Sequence, residues 1–306
     1  MPKRTVSDLI DWVELSSYTK RVLYEAKSIV RETKGIEEDF EFHVEVDFDA
    51  GARLEVRDAS ELIVGYSHFM DSSSTQKCIF ITENLRDAAT FEMGAQIYLC
   101  EKNLSKDYGV SFKYSPGGGA TTYDNFISHV RDGSFFLCII DSDLKHPSGP
   151  KGSTAKRFNG HQVGLQKKHA LEILACHEIE NIIPAKIASV ASEGLIDTGL
   201  IFKSGKHAIY RAFPDHKNGL CIDGAMEADD KHNDEFWKEF YPHKAKKKVW
   251  LMPPLGENFL SDCLRLMSKE SPRKLLELVD SEHDRLWWKA SKLVASWGIA
   301  MKKPIH

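Results

Sequence analysis

Glu83 and Asp87 stand four residues apart, Asp141 and Asp143 two apart, and Glu178 and Glu180 two apart within His177-Glu178-Ile179-Glu180-Asn181. The first two pairs each follow an apolar run: Cys78-Ile79-Phe80-Ile81 before Glu83, and Phe135-Phe136-Leu137-Cys138-Ile139-Ile140 before Asp141. If Asn84 opens a helix, a spacing of four puts Glu83 and Asp87 on one face. An Asp-x-Asp at a strand end lets both carboxylates face one crevice. Acids placed after buried strands sit where an α/β sheet collects its ligands, and such a group is unstable unless a cation neutralises it. Hard oxygen donors in this number suit Mg2+ or Mn2+, which accept phosphate oxygens as further ligands. Two such ions clamp the attacking and leaving oxygens of an in-line displacement. Gly117-Gly118-Gly119, at the start of an expected helix, would let backbone N–H groups approach a phosphate.

The elements that must position these groups are legible as patterns. Residues 5–33 carry Val6, Leu9, Ile10, Val13, Leu15, Val22, Leu23, Ile29 and Val30 at helical spacing. Residues 41–48 alternate, Phe42, Val44, Val46 and Phe48 against His43, Glu45 and Asp47, which predicts a half-buried strand. Residues 53–56 and 62–64 add further expected strands. From about residue 76 the pattern becomes short apolar strands separated by helical stretches, the sign of a parallel sheet. The expected order is strand 78–82, helix 84–94, strands 96–100 and 109–114, the glycine turn, helix 120–131 and strand 135–140. A polar loop at 144–160 and a helix at 163–176 lead to the Glu178/Glu180 segment, which ends at Pro184. After an irregular stretch from about 200, helices are expected at 233–240, 256–269, 272–279 and 281–299. The last holds Trp287, Trp288 and Trp297, read as packing residues.

With 306 residues, 42% hydrophobic and 28% charged, the chain supports a sizeable core. No apolar stretch is long enough to span a bilayer, and the N-terminus lacks a signal-peptide core, so a cytoplasmic protein is expected. The six cysteines form no CxxC pair and are expected to be reduced thiols. A net charge of -4 excludes a generic polycation. Nucleic-acid contact would need a local patch, and Lys244, Lys246, Lys247 and Lys248 before Trp250 supply the strongest one, ahead of Lys145, Lys151, Lys156, Lys167 and Lys168. Gly149-Pro150-Lys151-Gly152-Ser153-Thr154 has the letters of a nucleotide-binding loop in the wrong order. No acyl-transfer signature is present.

The order Glu-x3-Asp after a first strand, glycine in the middle and Asp-x-Asp after a later strand resembles the Toprim domain of topoisomerases, bacterial primases, OLD-family nucleases and small recombination nucleases. Glu180-Asn181, with Ile179, is similar to the stretch that follows Asp-x-Asp in OLD-like proteins and in stand-alone Toprim effectors of anti-phage systems such as PARIS. The resemblance covers roughly residues 76–200. It implies an α/β fold, a Toprim-like parallel sheet flanked by helices at 76–200; outside it, the patterns described above read as an N-terminal α+β extension at 1–75 and an irregular then helical C-terminal region at 201–306. It further implies Glu83 as metal ligand or acid/base, Asp87, Asp141 and Asp143 as metal ligands, and Glu180 as ligand of a second ion with Glu178 in reserve. Lys217, or else Lys206, would take the role of the late lysine that stabilises transition-state charge. One position departs from the family: glycine commonly follows the motif glutamate, and here Asn84 stands there.

The function so implied is a nuclease that uses Mg2+ or Mn2+ to cleave DNA or RNA, tRNA included, as a toxic effector controlled by a partner. That partner would be an ABC-type ATPase or a reverse transcriptase; a second copy of the chain is a further candidate. The alternative is a non-catalytic Toprim-like subunit that binds nucleic acid or an ATPase.

Overall fold

The unbroken apolar strand at 135–140 needs cover on both faces, and the structure supplies it. In a computed structural model of the protein, the described residues are 10–11, 14–32, 35–71, 76–119, 121–245 and 247–302. Helix α1 (Ser17–Glu32) precedes a three-stranded sheet of β1 (His43–Asp47), β2 (Leu54–Arg57) and β3 (Glu61–Gly65), with β3 in the middle. Of the expected first helix, residues 5–9, 12–13 and 33 lie outside the described residues. Leu62, Ile63 and Val64 of the central β3 are buried, whereas Val44 and Phe48 of the alternating stretch are exposed. Burial here follows position in the sheet rather than alternation along β1.

The main unit runs β4 (Ile79–Ile81), α2 (Leu85–Glu101), β5 (Tyr108–Val110), β6 (Lys113–Tyr114), α3 (Thr121–Asp132), β7 (Phe136–Ile140), α4 (Ser153–Arg157), β8 (Gly164–Leu165), β9 (His169–Ile173) and α5 (Ala185–Ala191). The sheet order is β6-β4-β7-β9-β8. The pairs among β6, β4, β7 and β9 are parallel, and β8 is antiparallel at the edge. Residues of β7 alternate between two cores. Leu137 and Ile139 join Phe80, Phe91 and Trp287; Phe136, Cys138 and Ile140 join Ile81, Phe126 and Phe158.

The remaining elements are β10 (Leu220–Cys221), α6 (Ile222–His232), β11 (Trp250–Met252), α7 (Phe259–Met267), α8 (Pro272–Leu276), α9 (Arg285–Gly298) and β12 (Ile299–Met301). Helix α9 packs along α2, and β12 pairs antiparallel with β5. Trp287 and Trp297 are buried in this packing. All six cysteines are free. No helix among the described residues is long and apolar enough to cross a membrane.

Three expected elements are corrected. Residues 96–100 are the end of helix α2 rather than a strand: Ile97, Tyr98 and Leu99 are buried, and a short apolar run does not by itself separate buried helix from strand. Residues 163–176 form β8 and β9 rather than a helix, because pairing of His169–Ile173 with β7 outweighs local periodicity. Residues 233–240 do not form the expected α-helix: α6 covers Ile222–His232 instead and stops there, where Asn233 caps it in the left-handed region at φ 50. A 3-10 turn follows at Lys238–His243.

Candidate metal centre

From β4 the chain passes to β6 on one side and then to β7 on the other, so a crevice opens beyond the carboxyl ends of β4 and β7. Glu83 lies two residues past β4 and Asp141 immediately past β7. The backbone N–H of Asp141 lies near enough to the Glu83 carboxylate to favour its charged form, so the two strand ends meet. Asp87 enters from the first turn of α2. Asn84 is the N-cap of that helix at φ -145, and its side chain accepts from the N–H groups of Arg86 and Asp87 at 2.8 and 3.1 Å. In return the Asp87 carboxylate accepts from the Asn84 N–H at 3.0 Å, which completes a capping box. Asn84 therefore needs no unusual backbone angle; it fixes the start of the helix and the direction of Asp87.

The glycine run is anchored to the same place. Gly117 N–H donates to the Thr82 carbonyl at 2.9 Å and Gly118 N–H to the Glu83 carbonyl at 2.8 Å. A Cβ on Gly117 would fall 2.0 Å from Thr122 Oγ1. The expectation that these N–H groups meet a phosphate is corrected for Gly117 and Gly118, since both are committed to the backbone around Glu83. Gly119 lies in the left-handed region at φ 66, and its carbonyl accepts from Thr122 N–H at the start of α3.

Asp143 is held from three sides. Its backbone is left-handed at φ 56, a conformation Asp tolerates better than most residues. Its N–H donates to the His177 carbonyl at 2.9 Å, and the neighbouring Ser142 hydroxyl donates to the Cys176 carbonyl. Gly152 packs against its carboxylate so closely that a Cβ there would lie 1.8 Å from Oδ2. The segment beyond β9 is equally fixed. Glu178 caps a 3-10 turn, Ile179–Ile182, and its N–H donates to Asn181 Oδ1 at 2.9 Å. Asn181 is buried and donates through Nδ2 to the carbonyls of Arg211 and Pro214 at 2.8 and 2.9 Å. His177 N–H adds a bond to the Ala212 carbonyl at 2.7 Å. Those bonds bring the chain that carries Asp215 and Lys217 alongside Glu178 and Glu180.

The converging carboxylates show their crowding in their acidities. Burial, then the charges of Asp143 and Asp87, pushes Glu83 up to about 7. Burial pushes Asp87 up to about 6. Asp141 is raised well above the usual carboxylate range by burial and by Asp87, Glu83, Glu180 and Glu178. Burial and Glu178 push Glu180 up to about 7. Burial also raises Glu178, opposed by the nearby Lys217 and Lys145. Glu83, Asp87, Asp141, Asp143 and Glu180, the acids expected from the sequence, thus lie near enough for their charges to act on Glu83, Asp141 or Glu180, while among the described residues the one group whose donor atoms all lie within 4.8 Å of one another is Asp143, His177 and Glu178.

Of the expected basic residues, Lys217 is exposed at the rim, close enough to act on Glu178, Glu180 and His177. Lys206 instead pairs with Glu239 at 3.0 Å. In the basic patch Lys244 pairs with Asp223 at 2.7 Å, Lys248 lies over the Trp250 ring, Lys247 is exposed, and Lys246 falls outside the described residues. Sequence reasoning missed His177, which is buried with Nδ1 lacking a hydrogen-bond partner. Asp143, His177 and Glu178 each offer one donor atom, and these lie within 4.8 Å of one another. The adjacency of His177 to Glu178 was the available signal. Lys145, which pairs with Asp215 at 3.3 Å, is a second residue whose proximity the sequence did not mark.

The donor set fits a hard divalent cation. Carboxylate oxygens dominate it, and Glu83 Oε1 and Glu178 Oε2 are buried without hydrogen-bond partners among the described residues. Comparison with protein-family models, with curated proteins and with solved structures finds no match.

Proposed function

We propose that the chain is a divalent-metal-dependent phosphodiester hydrolase, a Toprim-type nuclease that cleaves DNA or RNA. The observation that carries this reading is the convergence of carboxylates from the ends of three adjacent parallel strands, β4, β7 and β9, beside the crevice where the strand connections diverge. Glu83, Asp87 and Asp141 would hold one Mg2+ or Mn2+, and Asp143 with Glu180 or Glu178 a second. When bound, such ions neutralise phosphate charge and acidify water.

The chain's own residues account for the rest. Glu83, pushed up to about 7 by burial and its acidic neighbours in the metal-free chain, has to give up its proton to become a ligand near neutral pH. Lys217, an exposed ammonium at the rim, would face the charge that builds on the attacked phosphate. Asn84, Gly152 and Asn181 hold the acids in place without touching substrate. The spacing Glu-x3-Asp, Asp-x-Asp and Glu-Asn supports the Toprim assignment. By the same resemblance the protein acts in the cytoplasm as an anti-phage effector, restrained by an ATPase or reverse transcriptase partner.

The direct test incubates purified protein with plasmid, single-stranded oligonucleotides and tRNA in Mn2+ or Mg2+. Cleavage should vanish with EDTA and fall by at least about a hundredfold in Asp141→Asn and Glu83→Ala. Cleavage persisting in both variants would remove the site assignment. Absence of metal-dependent cleavage, alone and with the partner complex, would leave only a binding subunit.

A further inference from the structure

We propose that Asp143, His177 and Glu178 form a mixed nitrogen–oxygen cation site that takes a first-row transition ion such as Mn2+ in preference to Mg2+. The inference rests on the metal reading of this crevice and goes beyond it in adding an imidazole ligand and a metal preference.

Three observations point to a built site rather than a chance group of acids. The donor atoms of the three residues lie within 4.8 Å of one another, a span that one ion can bridge. His177 is 2% exposed, its Nδ1 has no hydrogen-bond partner, and that atom stands 3.8 Å from Glu178 Oε2, too far for a hydrogen bond. Glu178 Oε2 is likewise buried and unpartnered. A buried ring nitrogen and a buried carboxylate oxygen left facing each other at that distance are costly unless a third group satisfies both.

The backbone holds all three in advance. Asp143 N–H bonds to the carbonyl of His177 itself, so one end of the site is tied to the other at 2.9 Å. Gly152 closes on the Asp143 carboxylate, and Asn181 fixes Glu178. Ligands fixed by their surroundings lose little entropy on binding. Metal preference follows from the donors: Mg2+ takes oxygen almost exclusively and resists dehydration, whereas imidazole nitrogen suits transition ions. The all-oxygen set of Glu83, Asp87 and Asp141 has no such preference built in. Two neighbouring sites of different softness would let Mn2+ fill one while Mg2+ fills the other.

The test uses the metal-free, full-length protein. Mn2+ and Mg2+ binding are followed by calorimetry, and bound Mn2+ by pulsed electron paramagnetic resonance for coupling to a 14N nucleus. The wild type should show imidazole 14N coupling, and His177→Gln should lose it. Mn2+ affinity at one site should fall by at least about tenfold in both His177→Gln and Glu178→Gln, the loss found even for outer-sphere partners. Mg2+ affinity should change by less than about twofold in His177→Gln, which removes only the nitrogen donor. Glu178→Gln, a half-buried and nearly isosteric change, covers the chance that His177→Gln fails to fold, and the wild-type spectrum needs no variant. Absence of 14N coupling in the wild type, or its survival in His177→Gln, overturns the proposal. If that happens while Asp141→Asn still abolishes ion binding and cleavage, the nuclease reading stands without it. If His177-dependent Mn2+ binding is found with no cleavage of any substrate, the site stands and the nuclease reading falls.

Discussion

Asn181 donates through Nδ2 to the carbonyl of Pro214 at 2.9 Å, so the turn bearing Glu178 and Glu180 is tied to the chain that leads, one residue later, into Asp215-His216-Lys217. The same amide bonds to the Arg211 carbonyl, and its oxygen accepts from Glu178 N–H. One buried side chain thereby decides whether acids and lysine meet.

Asn181→Ala should cost about 2–4 kcal/mol, because three hydrogen bonds are lost and one buried and one part-buried carbonyl lose this donor. Urea unfolding measures the cost. Divalent-ion affinity should fall with it; unchanged stability would mean that the amide is dispensable and the tether unimportant.

Gly152 has φ -67, so alanine brings no backbone strain there; its Cβ would instead displace the Asp143 carboxylate. Gly152→Ala is expected to cost about 1–3 kcal/mol as an overpacked contact. Mn2+ affinity should drop by at least about tenfold. A variant with wild-type metal affinity would show that Asp143 is not held where the ligand role requires.

Glycine at position 84 would match the Toprim pattern, yet Asn84 sits in extended backbone and caps α2 with its side chain. Asn84→Gly should therefore cost only a few tenths of a kcal/mol, and Asn84→Ala about 1 kcal/mol, in thermal or urea unfolding. The reverse ranking would point to a backbone requirement for glycine that φ -145 does not show.

The raised acidities give the metal-free protein an unusual pH dependence. A carboxyl whose pKa is higher folded than unfolded binds its proton more tightly in the folded state. Its contribution is complete below the ordinary carboxylate range and is lost as pH rises through the folded value. For Glu83 and Glu180, at about 7, and Asp87, at about 6, stability should fall between about pH 4.5 and 7. Mn2+ requires the ionised carboxylates, so it should raise the melting temperature strongly at pH 8 and little at pH 5. A metal-induced shift that is equal at both pH values would contradict this.

Much of the site was readable because acids after apolar strands have few other reasons to recur. Glu83 and Asp141 follow β4 and β7 as their apolar runs implied, and the run at 136–140 is buried throughout. Residues 163–176 were not readable: Val163, Ala170, Leu171 and Leu174, at i, i+7, i+8 and i+11, mimic a helical stripe, and only pairing with β7 makes residues 169–173 a strand. That error hid the third strand end, and with it the reason why His177 and Glu178 reach the crevice. Asn181 looked like part of a motif, but its partners at Arg211 and Pro214 are about thirty residues distant, beyond any local pattern. The glycine run pointed to the right place for a different reason, since Gly117 and Gly118 bind the backbone around Glu83.

The most direct measurement is the anomalous scattering of Mn2+ in crystals grown or soaked with the ion near pH 8. The expected result is a peak bounded by the carboxylates of Glu83, Asp87 and Asp141, absent in Asp141→Asn. An empty crevice at saturating Mn2+, with Glu83 and Asp141 protonated or paired to lysines of the chain, would contradict the metal centre on which the nuclease reading depends.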